Sequence, residues 1–297
     1  MRPYNAIYRQ AAADDRALAF EQYWAYLVAR DGAMEEETQS LEHKTVYYRH
    51  IQTDPVRAEQ PLTPLHTVAE ISEQLAHQDP LRIDRRLVAL TVIYQFACHE
   101  SAGIAAAWTS TSPWARCTTL QDKITRYHLC EEFCHLRLFA AMFQVFHLRV
   151  EWPSLAWPHR LIYGGFTHLP EWLLAPVALS SEVMGIVFYR HIRTVLEDVF
   201  ATEPTASAHV LELLGEIMVD ELGHVGERRS YLGDVGVKLA RWCLPLLMRG
   251  FFHNIPTAPL ILDISQMIRD AVAFDYSGID AAILERAWIP GFCRTTA

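Results

Sequence analysis

Two copies of one short motif constrain this chain more than any other feature of its sequence. Glu-x-x-His occurs at Glu132–His135 and again at Glu221–His224, each within a long stretch of helix-like pattern. Residues three apart lie on one face of a helix, so a carboxylate and an imidazole can bind the same metal ion. Both motifs lie among apolar residues, where charged side chains need partners or a metal. The sequence therefore predicts a metal site between two helices.

Two isolated glutamates complete the predicted ligand set. Glu100 and Glu182 each stand far from other carboxylates in a nearly uncharged helical stretch, where an ionisable side chain requires an explanation. In ferritin-like di-iron proteins two helices supply one Glu each, two others supply Glu-x-x-His, and one long crossover is present. The same order occurs here, with the longest gap between the second and third elements. We predict that six residues bind two metal ions, and that this metal pair is the catalytic group: Glu100, Glu132, His135, Glu182, Glu221 and His224.

Hydrophobic periodicity predicts an all-α fold, because no segment alternates with a period of two. The predicted helical stretches are residues 14–30, 80–108, 120–150, 176–200, 206–232, 237–252 and 260–274. We interpret residues 51–64 as a loop and 152–170, rich in Pro and Gly, as a crossover. The expected architecture is a ferritin-like four-helix bundle that carries a dinuclear metal site, with additional helices at both ends. We expect one helical domain over residues 1–297: an N-terminal extension (1–80), the metal-binding bundle (81–232) and C-terminal helices (233–297).

Two acidic residues next to the motifs are candidates for orienting the histidines. A metal-bound His usually donates its other ring N–H to a carboxylate or carbonyl. We expect Asp220 to accept this hydrogen bond from His135, and Glu131 to accept it from His224, each across the bundle.

Three further positions are assigned from the helical wheel. His128, one turn before Glu132, and Ile217, between the two ligands of the second motif, are expected to line the pocket beside the metals. We expect Ile217 to bind no metal. Glu227 lies about 120° from Glu221 on the helix and is expected to face away from the metals.

Composition excludes several classes of protein. The chain has 26 Lys and Arg against 35 Asp and Glu, which argues against a nucleic-acid partner. Its six cysteines are scattered without a C-x-x-C pair, which argues against a disulfide framework or a zinc site. Carboxylates and imidazoles without thiolates suit iron or manganese, and Fe/Fe and Mn/Fe both stay open. No signal peptide is recognised, and prolines interrupt the apolar run at 169–179, so we expect a cytoplasmic protein without a membrane partner.

The motif set resembles the ferritin-like di-iron oxygenases, which include stearoyl-carrier-protein desaturases and bacterial monooxygenase hydroxylases. It looks most similar to the p-aminobenzoate N-oxygenase (AurF-type) family. The resemblance covers roughly residues 85–255, and it includes the segment Arg241–Leu246, which is not a ligand motif. It implies a homodimer that activates O2 at two irons and oxidises an amine stepwise towards hydroxylamine and nitro products. One position departs: these N-oxygenases carry a third His where this chain has Ile217.

The expected function is that of an O2-activating non-haem di-iron oxygenase in a biosynthetic pathway. It would N-oxygenate or hydroxylate a small amine-containing metabolite through a peroxo-diferric intermediate. Two Fe ions would be the cofactors and O2 the co-substrate. An external electron donor, a reductase or ferredoxin, is expected because no flavin or nicotinamide motif is present. The departure at Ile217 keeps a di-iron desaturase or a C–C cleaving oxidase open. Iron storage or peroxide detoxification, as in ferritins and rubrerythrins, is an alternative of another class, and a metal-free helical scaffold is a third.

Overall fold

The computed structural model of the chain describes residue 4 and residues 6–32, 41–77, 82–152 and 157–294. These residues form eleven α-helices and, within the same ranges, isolated β-bridges but no strand. The helices are α1 (Ala13–Asp31), α2 (Glu42–Thr53), α3 (Val68–His77), α4 (Arg85–Ser110), α5 (Leu120–Val145), α6 (Trp157–Phe166), α7 (Glu171–Val199), α8 (Pro204–Tyr231), α9 (Asp234–His253), α10 (Ile264–Val272) and α11 (Ala281–Arg286). The predicted all-α fold is confirmed.

Four long helices pack in a closed ring, and each carries one element of the predicted ligand set. α4 contacts α5 and α7, and α8 contacts the same two helices from the other side. Glu100 lies in α4, Glu182 in α7, and the two Glu-x-x-His motifs in α5 and α8. A large apolar core packs around these residues. The arrangement therefore brings four distant parts of the sequence to one place.

Local sequence signals fix where three of the four ring helices begin. The Asp84 side chain accepts a hydrogen bond from the backbone N–H of Arg86 at the start of α4. Thr119 and Asp122 form a reciprocal capping box at the start of α5, which satisfies two backbone N–H groups that the helix leaves free. Pro204 occupies the first turn of α8, where its missing N–H costs nothing.

The helix boundaries differ from prediction most clearly at α7. This helix begins at Glu171, and Pro176, which was expected to open it, lies inside it and is buried. A proline removes one backbone hydrogen bond within a helix. Here the loss falls near the N-terminal end, and the remaining bonds and apolar contacts of a 29-residue helix persist. Segments treated as loop or left unassigned also contain short helices, α2, α3, α6 and α11.

The outer helices cover the ring. α1 packs on α5 and α8, α2 packs on α1, and α9 packs on α7. Gly223, inside the second motif, permits the close approach of α1, because a Cβ there would lie 3.0 Å from the Tyr23 hydroxyl. The N-terminal helices are thus in direct contact with the ligand-bearing helices.

Two helices, α4 and α7, are long and apolar enough to cross a membrane by length and composition alone. In their most apolar windows 67% and 56% of the residues are buried inside the protein. The core helices of soluble proteins meet the same criterion, so this is weak evidence for a membrane. Pro176 does not interrupt the apolar run at 169–179 as expected, because α7 runs through it, whereas Pro170 directly precedes the helix.

Candidate metal centre

The side chains of all six predicted ligands meet within the ring, and His128 joins them. Their ligand atoms form two adjoining groups, in each of which all atoms lie within 4.8 Å of one another. The His135 group consists of Glu100, Glu132, His135 and Glu221. The His224 group consists of His128, Glu132, Glu182 and His224. Glu132 belongs to both groups: its Oε2 lies 3.4 Å from His135 Nδ1 and its Oε1 lies 3.1 Å from His224 Nδ1.

The centre is strongly shielded from water. Side-chain exposure is 0% for His135 and His224, and it is highest for Glu182, at 15%. Burial raises the pKa of Glu100 and of Glu182 to about 7, because the ionised carboxylate loses its hydration. Several carboxylates held together in a buried space require protons or cations to balance their charge.

Three buried atoms in the centre test whether a metal fits. Glu100 Oε2, His135 Nδ1 and His224 Nδ1 are buried and make no hydrogen bond. His135 Nδ1 lies 3.3 Å from Glu221 Oε1, and His224 Nδ1 lies 3.1 Å from Glu132 Oε1. Buried polar atoms without partners are costly and rare. A cation in each group would satisfy all three atoms, so the residues present fit a pair of metal ions.

The other nitrogen of each motif histidine is held by a fully buried carboxylate. His135 Nε2 is 3.0 Å from Asp220 Oδ2, and His224 Nε2 is 3.1 Å from Glu131 Oε2. These are the two pairs that the sequence analysis proposed. The hydrogen bonds fix both rings so that Nδ1 faces the other ligands, as expected for histidines that bind metal.

Two cations of the N-terminal helices contact these carboxylates. Arg30, at the end of α1, reaches both Glu131 and Asp220, and Lys44 of α2 contacts Asp220. Burial alone would raise the pKa of Asp220, but Lys44 and Arg30 hold it well below its usual value. Sequence analysis missed both cations, because no local pattern marks pairs more than a hundred residues apart.

His128 lies deeper in the centre than a pocket-lining residue would. Its Nε2 is 3.2 Å from Glu132 Oε1 and 3.6 Å from Glu182 Oε1. Its ring stacks on that of His224, with centroids 3.6 Å apart and planes 9° from parallel. A metal binds in the plane of an imidazole, so one ion cannot lie in the planes of two parallel, stacked rings. In this arrangement the His128 ring is hydrogen-bonded to Glu132 on one side and to Glu227 on the other.

The expected position of Glu227 is wrong. It was expected to face away from the metals, but it is fully buried, and its Oε2 lies 3.2 Å from His128 Nδ1. The reason is that α1, α5, α7 and α11 surround α8. A residue 120° from Glu221 therefore faces a neighbouring helix instead of solvent.

His128 is a third histidine in the centre beside His135 and His224. Its spacing of four residues from Glu132 was the sequence signal for it, because residues four apart share one helix face.

Ile217 is completely buried in the apolar core of α8. Its predicted place beside the metals stays a prediction.

A cavity of about 670 Å³ opens at one end of the ring, where α1, α5 and α7 begin and α8 ends. Its lining includes Ala178, one turn before Glu182, and Arg228, whose Nε lies 3.7 Å from Glu182 Oε1. Glu182 is also the most exposed of the predicted ligands, so the cavity lies on its side of the centre.

Comparison of the chain with family models, with curated proteins and with solved structures finds no match.

Proposed function

We propose that this protein is a ferritin-like, non-haem di-iron oxygenase that oxidises a small amine-containing molecule with O2. The observation that carries the proposal is the pair of adjoining ligand groups that share Glu132. Four helices that carry Glu, Glu-x-x-His, Glu and Glu-x-x-His in this order, with the side chains directed into the bundle core, are typical of this class.

Iron would supply O2 activation and electron transfer when bound, which the amino-acid side chains cannot perform. The donor set of carboxylates and imidazoles suits iron, and manganese in one position is compatible with the same ligands. Glu100, His135 and Glu221 would hold one ion, Glu182 and His224 the other, and Glu132 both.

The protein's own residues would orient the ligands and exclude water. Asp220 and Glu131 fix the rings of His135 and His224 through the hydrogen bonds to Nε2. The burial of these groups keeps bulk water away from reactive species. Glu182 is the ligand nearest the cavity, so we place substrate oxidation on its side of the centre.

The cavity supports a substrate of limited size that combines apolar and polar parts. Its lining carries both cationic and acidic side chains beside small apolar ones. Four of the lining residues are charged: Arg16, Asp122, Glu171 and Arg228. The two guanidinium groups balance the charge of the two carboxylates, so the amine-oxidising form of the proposal rests on the family resemblance. Electrons would come from a reductase or ferredoxin, and the homodimer implied by the family resemblance is part of the proposal.

Single-turnover oxidation in ¹⁸O2 tests this function. Metal-free protein is loaded with Fe(II) without air, its iron content is measured, and it is mixed with ¹⁸O2, a chemical reductant and a panel of small amines. We expect two irons per chain and ¹⁸O in an oxidised amine. The variant Glu132→Ala should abolish the product, because it removes the residue shared by both positions.

Other outcomes of this experiment identify the alternatives. A product that has lost two hydrogens without gaining oxygen would indicate a desaturase, and a shortened carbon skeleton would indicate a C–C cleaving oxidase. Rapid O2 or peroxide consumption without any oxidised amine would indicate iron storage or detoxification. A protein that binds no iron would contradict the proposed di-iron centre and indicate a metal-free helical scaffold.

A further inference from the structure

A buried charge cluster lies behind the histidines, on the side away from the other ligands. It joins two helices outside the ring to two helices within it: Arg30 and Asp31 end α1, Lys44 lies in α2, and Glu131 and Asp220 lie in α5 and α8. The side chains of the three acidic residues are 0% exposed, that of Lys44 is 3% exposed and that of Arg30 is 14% exposed. Such burial means that each charge depends on its partners in the cluster.

The contacts divide the oxygens of the two carboxylates in the same way. Glu131 Oε2 accepts a hydrogen bond from His224, and Glu131 Oε1 contacts the Arg30 guanidinium. Asp220 Oδ2 accepts a hydrogen bond from His135, and Asp220 Oδ1 lies 2.9 Å from Arg30 Nη2. One nitrogen of Arg30 therefore contacts both carboxylates, and through them it reaches both histidines.

Lys44 and Asp31 have narrower roles in the cluster. Lys44 Nζ contacts Asp220 Oδ2, the oxygen that also accepts a hydrogen bond from His135. Lys44 makes no ion pair with Glu131. Arg30 Nε donates to Asp31 Oδ2 at 2.7 Å, which fixes the plane of the guanidinium between the two carboxylates. The cluster is therefore asymmetric: one cation serves both histidines and the other serves only His135.

We propose that Arg30 is a positioning residue for both metal positions, and that Lys44 is a positioning residue for the His135 group alone. The inference rests on the proposed metal centre and adds the N-terminal helices α1 and α2 to it. Without its cation, a buried carboxylate loses the contact that fixes its direction, and the histidine that it holds loses its orientation. Losses of such outer partners typically cost about 10–100-fold in metal affinity.

Titration of the metal-free protein with Co(II) tests the division of roles. Visible Co(II) absorption reports the ligand field of each bound ion, so it detects changes that a purely structural role would not cause. The variants Glu100→Gln and Glu182→Gln first assign the two binding steps to the His135 group and the His224 group. Circular dichroism during thermal unfolding confirms that each variant is folded.

We expect Arg30→Gln to weaken both Co(II) steps by about 10–100-fold and Lys44→Met to weaken only the step of the His135 group. Arg30→Lys keeps the charge but has no planar fork to contact two carboxylates, so it should rescue one step at most. If Arg30→Gln does not fold, the other two variants carry the test. Lys44→Met should then weaken only the step of the His135 group, and Arg30→Lys should leave at least one step weakened.

Arg286→Gln is the matched control. Arg286 contacts Glu216, which lies one turn before Asp220 on the same helix, and it touches no metal ligand. Both Co(II) steps should stay unchanged in this variant. The inference would be overturned if Arg30→Gln and Arg30→Lys fold and bind Co(II) as the wild type does. It would also be overturned if Lys44→Met weakens both steps equally. A wild-type protein that binds no Co(II) would instead refute the proposed metal centre.

Discussion

Replacing Asp220 by Asn changes one charge at the point where the metal centre meets the N-terminal helices. In the wild type Asp220 accepts from His135 Nε2 at 3.0 Å and also contacts Lys44 and Arg30. Asn has nearly the same shape, but its amide nitrogen must face one of three donors. At least one of these contacts therefore becomes unfavourable, and two buried cations lose the charge that they share.

The magnitudes follow from burial. Removal of one partner of a buried ion pair costs about 3–5 kcal/mol. For a protein of this size that free energy lowers the melting temperature by roughly 5–10 °C. The weakened orientation of His135 should lower metal affinity by about 10–100-fold, which corresponds to roughly 1.4–2.8 kcal/mol. The loss should be concentrated in the His135 group, because His224 is held by Glu131 instead.

Stepwise Fe(II) titration under anaerobic conditions and thermal unfolding measure the two effects separately. Glu216→Gln is the control, because Glu216 is a buried carboxylate one turn away that pairs with His43 and Arg286 and touches no ligand. It should lower stability while leaving Fe(II) affinity within about twofold. Equal losses of affinity in Asp220→Asn and Glu216→Gln would refute the reasoning, because they would trace both effects to general destabilisation.

Three further predictions concern other parts of the centre. Glu227→Gln should weaken Fe(II) binding in the His224 group, because the Glu227 carboxylate holds His128; an unchanged affinity would show that the charge of Glu227 does not support the centre. Ala178→Trp should fill the cavity beside Glu182 and abolish amine oxidation while two irons still bind; unchanged steady-state turnover would place the substrate route elsewhere. Burial raises the pKa of Glu100 and Glu182 to about 7, above the unfolded value of about 4.3, so the folded metal-free protein binds more protons in this window. Its free energy of unfolding, measured with urea, should therefore fall as the pH rises from 5 to 7, and Glu100→Gln should reduce the slope.

The ligand set could be read from the sequence because burying a charge leaves a local signature. Glu100 and Glu182 are conspicuous as lone carboxylates in apolar helices, and Glu-x-x-His places two ligands on one face by helix geometry alone. The order of these elements and the all-α class followed from the same local information. The structure brings all six side chains together.

The remaining features depend on contacts between segments distant in sequence. Arg30 and Lys44 lie in helices with an ordinary amphipathic pattern, and their partners are 101 and 176 residues away. The burial of Glu227 follows from the number of helices around α8, which a helical wheel of α8 alone does not contain. Likewise α7 continues through Pro176, since its long apolar interface with the ring outweighs the local preference to begin at a proline.

The most direct test of the central claim is X-ray diffraction from crystals of the iron-loaded protein at the iron absorption edge. Two anomalous peaks are predicted within the ring of α4, α5, α7 and α8, roughly 3.5–4 Å apart, as in other two-metal sites. Glu132 should lie between the peaks, with His135 Nδ1 and His224 Nδ1 each about 2.1 Å from one of them. A single peak, or iron bound only outside this ring in a protein saturated with Fe(II), would contradict the dinuclear centre.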